Sequence, residues 1–239
     1  MLNVAALSLV MLAAGPSPAP PPILHLTCPH IKGPIVIDGK LDDAWKDVQP
    51  ISDFRLWGNM GKPTYAVSVR LAYDDDNVYA YFNCEDADLF TLYQDRDAQL
   101  WESDVVELFF QPDPKNSIYY EFEVAPNGAI FDARFVNTGS GGFKRWAQWN
   151  CGIRAGIQLK GTMNEWHDLD KGYTVEIAIP LDTFKEVVGD SPLKGTTWKF
   201  AAARADFSVT LAKEERSATA NVPAGNIHDK DGWFTLTFK

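Results

Sequence analysis

The sequence predicts a two-sheet antiparallel β-sandwich, jelly-roll-like, with one or two short helical turns. Short runs of alternating apolar and polar residues follow one another from Tyr65 onward, separated by Gly, Pro, Asn and Asp turns. No long helical period intervenes, which excludes a parallel sheet wound through crossover helices. Of the 239 residues, 46% are hydrophobic and 13% aromatic, enough to fill the space between two sheets.

The elements read in order as follows. Met1–Ala14 is an apolar run too short to span a bilayer, and a Pro-rich stretch from Gly15 to Pro22 follows it. Residues 1–22 therefore read as a signal peptide with its leader, which places the protein outside the cytoplasm, secreted or periplasmic. With no repeat or further break in composition, His30–Lys239 reads as one domain. Asp42–Val48 has the pattern of a short helical turn. Tyr65–Tyr73 (YAVSVRLAY) is the clearest strand, with Tyr65, Val67, Val69, Leu71 and Tyr73 on one face. Asp74–Asn77 turns the chain into a strand at Val78–Phe82. Further strands are expected at Val105–Gln111, Tyr119–Ala125, Ile130–Val136, Tyr173–Ile179, Trp198–Ala203 and Phe234–Phe238. Pro180 is placed to open a second helical turn at Leu181–Val187. Gly139–Asp170 is the longest irregular segment; with Trp146, Trp149 and Trp166 it reads as a functional loop or a covering flap.

A formal charge of -10 excludes a nucleic-acid partner, which would require clustered Lys and Arg. No basic amphipathic stretch suggests a membrane surface, and no insertion is expected. Cys28, Cys84 and Cys151 match no zinc or redox spacing, and leave open either one disulfide or buried thiols.

The alternation within three strands gives the sharpest functional hint. Val106, Leu108 and Phe110 point to one side of their strand, and Glu107 and Phe109 to the other. If the strands at 105–111, 119–125 and 130–136 are neighbours, one face is expected to carry Glu107, Glu121, Glu123, Asp132 and Arg134. Carboxylates, Arg and aromatics together suit sugar hydroxyls, which both donate and accept hydrogen bonds. The competing reading is an ordinary solvated outer face with cross-strand ion pairs. Among eight tryptophans, Trp101 opens the strand bearing Glu107 and is expected at a loop rim, where it can stack on a sugar ring. Trp45 reads as a core plug, Trp198 and Trp233 as structural, and Trp146, Trp149 and Trp166 stay open.

Catalysis is not expected. Glu107 with Glu121 or Glu123 could meet the carboxyl separation of a glycosidase, about 5 to 9.5 Å, yet nothing marks either as a proton donor. No nucleophile-elbow pattern appears, and His25, His30, His167 and His228 lack metal-ligand spacing. A haem-binding sandwich would draw axial ligands from His167, His228, Met60 or Met163.

Five segments in order carry a resemblance. They are IDGKLDDAW (Ile37–Trp45), LAYDDDNVYAYF (Leu71–Phe82), LWESDVVELFF (Leu100–Phe110), KGTMN with DKGYTVEIAIP (Lys160–Pro180), and GWFTLTF (Gly232–Phe238). Together they resemble the family 9 carbohydrate-binding modules over nearly everything after the leader. The resemblance implies a non-catalytic sandwich that binds plant-type polysaccharide or oligosaccharide such as xylan, often attached to xylanases. It implies a sugar held between two tryptophans, the first matching Trp101, above a glutamate matching Glu107. The second tryptophan of the family falls at Ile227 here, and an arginine of the family falls at Glu123. Trp146 or Trp149 is the expected substitute wall, with Glu121, Glu123, Arg134 and Arg204 shaping the floor. Family members also hold structural calcium, for which Asp74, Asp75 and Asp76, with Glu85, Asp86 and Asp88, are candidates by composition. The alternatives are a degenerate sandwich with a structural or cell-surface role, and an accessory domain of a glycoside hydrolase.

Overall fold

Alternating hydrophobicity does produce two packed sheets. The computed structural model describes residues 23–33, 35–58, 61–137, 148–191 and 193–239. Its strands are β1 (His25–Cys28), β2 (Arg55–Leu56), β3 (Val67–Tyr73), β4 (Asn77–Cys84), β5 (Val105–Gln111) and β6 (Tyr119–Val124). There follow β7 (Ile130–Phe135), β8 (Arg154–Leu159), β9 (Tyr173–Pro180), β10 (Thr197–Asp206), β11 (Glu215–Ala218) and β12 (Phe234–Phe238). The expected leader and Trp146 lie outside the described residues, and no described helix is long and apolar enough to cross a membrane.

The larger sheet runs β1-β12-β10-β5-β6-β7, with β11 beside β10 and β2 beside β11. The smaller sheet runs β3-β4-β9-β8. Pairing is antiparallel except between β1 and β12, which are parallel. Every expected strand forms, most with ends moved by a residue or two. Tyr65 and Ala66 fall outside β3, and β10 continues to Asp206.

Four strands carry too weak a pattern to be read from sequence. One of them, β8 (RAGIQL), lies inside the segment expected to be irregular. Its central Gly156 is there because the chain at Ile37–Asp38 crosses it. A Cβ on Gly156 would meet the Asp38 backbone at 2.6 Å, and one on Gly39 would meet the Ile157 backbone at 2.7 Å. The expected helical turns are short: 3₁₀ at Asp43–Trp45, and 3₁₀ at Leu181–Phe184 running into one α turn, α1 (Lys185–Val188).

The main core lies between the sheets. Val69, Leu71, Phe82, Val175 and Ile177 from one sheet meet Leu108, Phe110, Phe122, Trp198 and Phe200 from the other. Each such side chain, fully buried, stabilises the fold by roughly 1.5–3 kcal/mol. A smaller cluster covers the far face of the small sheet, where Trp45 packs with Tyr79, Tyr81 and Ala178. Glu176 of β9 explains the IDGKLDDAW segment: its carboxylate accepts from Trp45 Nε1 at 2.8 Å and from the Asp38 and Gly39 amides at 3.1 Å. Trp45, Trp198 and Trp233 are all buried structural residues, as expected. All three cysteines are free thiols.

Candidate functional site

The outer face of the large sheet, turned away from its partner sheet, carries the chemistry. In β5 the inward set is Val106, Leu108 and Phe110, which leaves Glu107 and Phe109 outward. Register places Glu107 opposite Ala203 on one side and Glu123 on the other. Glu121 stands opposite Phe109 and Ala133, and Glu123 also opposite Phe131. Three adjacent outward carboxyl groups result, with oxygens within 4.8 Å of one another. They are not solvated, being 3%, 5% and 0% exposed for Glu107, Glu121 and Glu123. The reading of this face as a polar, water-facing surface therefore fails.

Burial dictates the electrostatics. Removal from water pushes Glu107 up to about 7, with the positive charge of Arg216 opposing the rise. Burial and then the neighbouring Glu107 charge push Glu121 up to about 8. Glu123 is held well above the usual carboxylate range by burial and by both neighbours. Neither Glu123 oxygen meets a donor among the described residues. The group it touches is another carboxyl, so a hydrogen bond forms there only when a proton is shared.

Two apolar clusters flank this polar belt. On one side Leu100, Val105, Phe131, Ala133 and Ala205 support the half-buried Trp101, whose ring meets Phe131 edge-on at 5.8 Å. On the other side Phe109, Ala201, Ala203, Ile227 and Trp233 support the half-buried Trp57. Arg216 of β11 joins the two flanks. Opposite Ala205 in register, it shares the outward face, donates to the Trp101 carbonyl at 2.9 Å, and stacks over the Trp57 ring at 5.8 Å. Trp57 Nε1–H has no acceptor among the described residues.

Sequence reasoning missed both Trp57 and Arg216. Trp57 follows a strand of two residues, and Arg216 sits in the charged run KEER, so neither shows an alternating pattern. Ile227, where the family's second tryptophan falls, is a buried plug whose carbonyl accepts from Trp233 Nε1 at 2.7 Å.

Several expected floor residues face the other way. Asp132 stands opposite Phe122 and Arg134 opposite Tyr120, so both project from the inward face of β7. Outward positions there are Phe131, Ala133 and Phe135, in place of the expected Asp132 and Arg134. Asp132 bonds Arg96 and the Cys151 amide, while Arg134 pairs with Glu186 of α1, which also accepts from the Tyr120 hydroxyl. Trp149 packs on Tyr120 and Phe122 at 5.6 and 6.4 Å, on the inward side, and is no wall for the glutamates. Arg204 stands opposite Val106, hence inward, where it is buried between Asp86 at 2.7 Å and Asp206 at 2.8 Å. Trp101, Glu107, Glu121 and Glu123 are thus brought together, and Arg134, Trp149 and Arg204 are not.

The calcium candidates do not fit a dication. Asp74 Oδ1 accepts from the Asp76 and Asn77 amides and its Oδ2 from the Tyr79 hydroxyl, while Asp75 bonds His30. Asp86 does gather with Asp104 and Asp206 within 4.8 Å, but the Arg204 guanidinium already takes oxygens of two of the three. Of the haem-ligand candidates, Met60 lies outside the described residues and Met163 packs against the core between the sheets. His167 is exposed and bonded to Glu165, and His228 lies outside the sandwich against Phe109, Tyr119 and Phe135.

Comparison with known proteins agrees with this fold. A family model described as "Carbohydrate family 9 binding domain-like" matches residues 37–233. The endo-1,4-beta-xylanase A of Thermoanaerobacterium saccharolyticum is 28% identical over 214 residues, covering 86% of this chain and 15% of that protein. The Thermotoga neapolitana endo-1,4-beta-xylanase A is 29% identical over 154 residues, 64% of this chain and 13% of its own length. The chain therefore spans a small fraction of either xylanase. A carbohydrate binding module family 9 from Caldicellulosiruptor kristjanssonii, solved with glucose, superposes with TM-score 0.64 at 18% identity, covering 90% of this chain and 95% of that one. A putative carbohydrate-binding protein from Bacteroides uniformis superposes with TM-score 0.69 at 17% identity, covering 90% and 99%. These structures share the fold.

Proposed function

The chain belongs to the carbohydrate family 9 binding domain-like family, and from that membership we propose that it binds saccharides without transforming them. One observation carries the reading: a belt of three buried glutamates lies between two half-buried tryptophans, Trp101 and Trp57, on one sheet face. Trp101 takes the apolar face of a sugar ring, and Trp57 supplies the second wall. Glu107 and Glu121 read the hydroxyls, and Arg216 sets the spacing of the walls. A short β-1,4-glycan is the natural ligand class, since a family neighbour is solved with cellotriose and the curated relatives are xylanases.

The absence of a catalytic role is part of the same proposal, supported by a family model that describes a carbohydrate-binding domain. The apolar run Met1–Ala14 supports delivery outside the cytoplasm.

Calorimetry with cellotriose and xylotriose tests the reading. Trp101→Ala and Trp57→Ala should each weaken binding roughly 5- to 30-fold, since a stacked aromatic contributes on the order of 1–2 kcal/mol. Unchanged affinity in Trp101→Ala would sink it.

A further inference from the structure

His228 stands on the same outer face as the glutamates. Its imidazole meets the rings of Phe109 at 5.7 Å, Tyr119 at 6.0 Å and Phe135 at 5.5 Å. In register Phe109 is opposite Glu121, while Tyr119 is opposite Phe135 and two residues before Glu121 on β6. Neighbouring positions on one sheet face lie about 5–7 Å apart, so the rings that the imidazole touches border Glu121. The Glu121 charge in turn acts on the Tyr119 hydroxyl. Backbone contacts fix the place of the imidazole. The His228 amide donates to Asn226 Oδ1 at 3.1 Å, the Asp229 amide donates to the Asn226 carbonyl at 3.2 Å, and the Ile227 carbonyl accepts from Trp233 Nε1.

Tyr119 decides which imidazole nitrogen carries the hydrogen. The Tyr119 hydroxyl is buried, and a buried O–H needs an acceptor. His228 Nδ1, 3.0 Å away, is the acceptor it meets among the described residues. Nδ1 therefore accepts, and the hydrogen sits on Nε2. The ring is also neutral, because burial and then the Lys230 charge lower His228 to about 4. Nε2–H makes no hydrogen bond with a described residue and, unlike Trp57 Nε1, is not closed off from solvent. A half-buried ring thus presents one neutral donor to the surface. That donor has a use: ring and glycosidic oxygens of a sugar only accept, and an ionised glutamate cannot serve them. Arg216 is turned instead to the Trp101 carbonyl and to the Trp57 and Phe207 rings.

We propose that His228 is a specificity-determining residue of the saccharide site, donating through Nε2–H to a ring or glycosidic oxygen of the sugar seated beside Glu121. The inference rests on the saccharide-binding reading above and adds the donor that ionised glutamates lack. Tyr119 is a positioning residue, which acts on the sugar only through the imidazole.

Calorimetry with cellotriose and xylotriose, and nitrogen NMR of the full chain carrying isotope-labelled histidine, decide the matter. In the parent protein at neutral pH, His228 Nδ1 should resonate as an unprotonated nitrogen and Nε2 as a protonated one. The Nε2–H signal should shift when the better-bound trisaccharide saturates the protein. His228→Phe keeps a flat ring among Phe109, Tyr119 and Phe135 but removes the donor, so affinity should fall roughly 3- to 10-fold, as for one lost neutral hydrogen bond. His228→Gln offers a neutral N–H at similar reach and should recover most of that loss. Equal weakening in the two variants, or an Nε2–H signal unmoved at saturation, assigns His228 to packing and overturns the proposal. A hydrogen found on Nδ1 overturns it as well. Parent-like affinity in His228→Phe, with binding lost in Trp101→Ala, overturns it and leaves saccharide binding standing. Binding of neither trisaccharide by the parent overturns both.

Discussion

Glu107 on β5 stands directly opposite Glu123 on β6, two like groups facing each other across a ladder. Ionised carboxylates so placed repel, and at 3% and 0% exposure there is little solvent to soften the repulsion. The pair is tolerable because at least one partner keeps its proton. A conventional cross-strand ion pair would be insensitive to pH near neutrality; this arrangement is not.

Stability should therefore fall as pH rises from about 5 to 8. Glu107 is pushed up to about 7 and Glu121 to about 8, both from 4.5 in an open chain. Between these values the folded state binds more protons than the unfolded state, so the stabilisation is complete below about 4.5 and lost through the folded values. Asp86, pushed up to about 6, adds to the trend in its lower part. A rise of 2.5 pH units at Glu107 alone corresponds to roughly 3 kcal/mol. Urea denaturation across this range should show the decline, and Glu123→Gln should flatten it. A stability maximum at pH 8 in the parent protein would contradict the burial of the three groups.

Arg134→Ala should leave saccharide binding within about two-fold of the parent and cost roughly 1 kcal/mol of stability. Its guanidinium is engaged with Glu186 on the inward side of β7, and that pair is partly solvent-screened. Parallel calorimetry and thermal melts separate the two effects. A large loss of affinity with unchanged stability would put Arg134 back at the ligand.

The contrast between Arg134 and Glu121 shows what was legible in the sequence. The strands at β5, β6, β9 and β12 and their internal alternation were readable because period-two hydrophobicity is a local property. Which alternate set faces the core is not local where both sets contain large apolar residues. In β7 Phe131, Ala133 and Phe135 look like a core set, yet they pack outward with Trp101 and Tyr119, and register with β6 decides it. Arg204 was misplaced for a similar reason, because a buried guanidinium between two aspartates has no signature in the sequence. Trp101 and Glu107 were marked by strand alternation and position, and the resemblance matched the same two residues. Trp57 and Arg216 arrive from distant segments joined by the two-residue pairing of β2 and β11, a contact that spacing cannot announce.

Glu176→Gln tests the anchor beneath the small sheet. Its two oxygens accept from Trp45 Nε1 and from the amides of Asp38 and Gly39. An amide in its place turns one acceptor into a donor that faces another donor. A buried mismatch of this kind costs about 2 kcal/mol, and the melting temperature should fall by roughly 4–8 °C for a chain of this size. Binding at the opposite sheet should be unaffected, which calorimetry on the folded variant would establish.

Arg216→Gln should couple both properties of the site. The guanidinium donates to the Trp101 carbonyl and lies over Trp57, so its removal loosens both walls. It is also the positive charge that lowers Glu107 and Glu123. Without it those carboxyl groups hold their protons to higher pH, and the alkaline decline in stability should move upward in pH. Affinity for neutral oligosaccharides should drop about ten-fold, as expected where a positioning cation and two aromatic contacts are disturbed together. Arg216→Lys should recover the position of the pH decline better than the affinity, because a point charge replaces the electrostatics but not the planar stack on Trp57. Equal recovery of both would mean that Arg216 acts by charge alone and that the walls are positioned by other contacts.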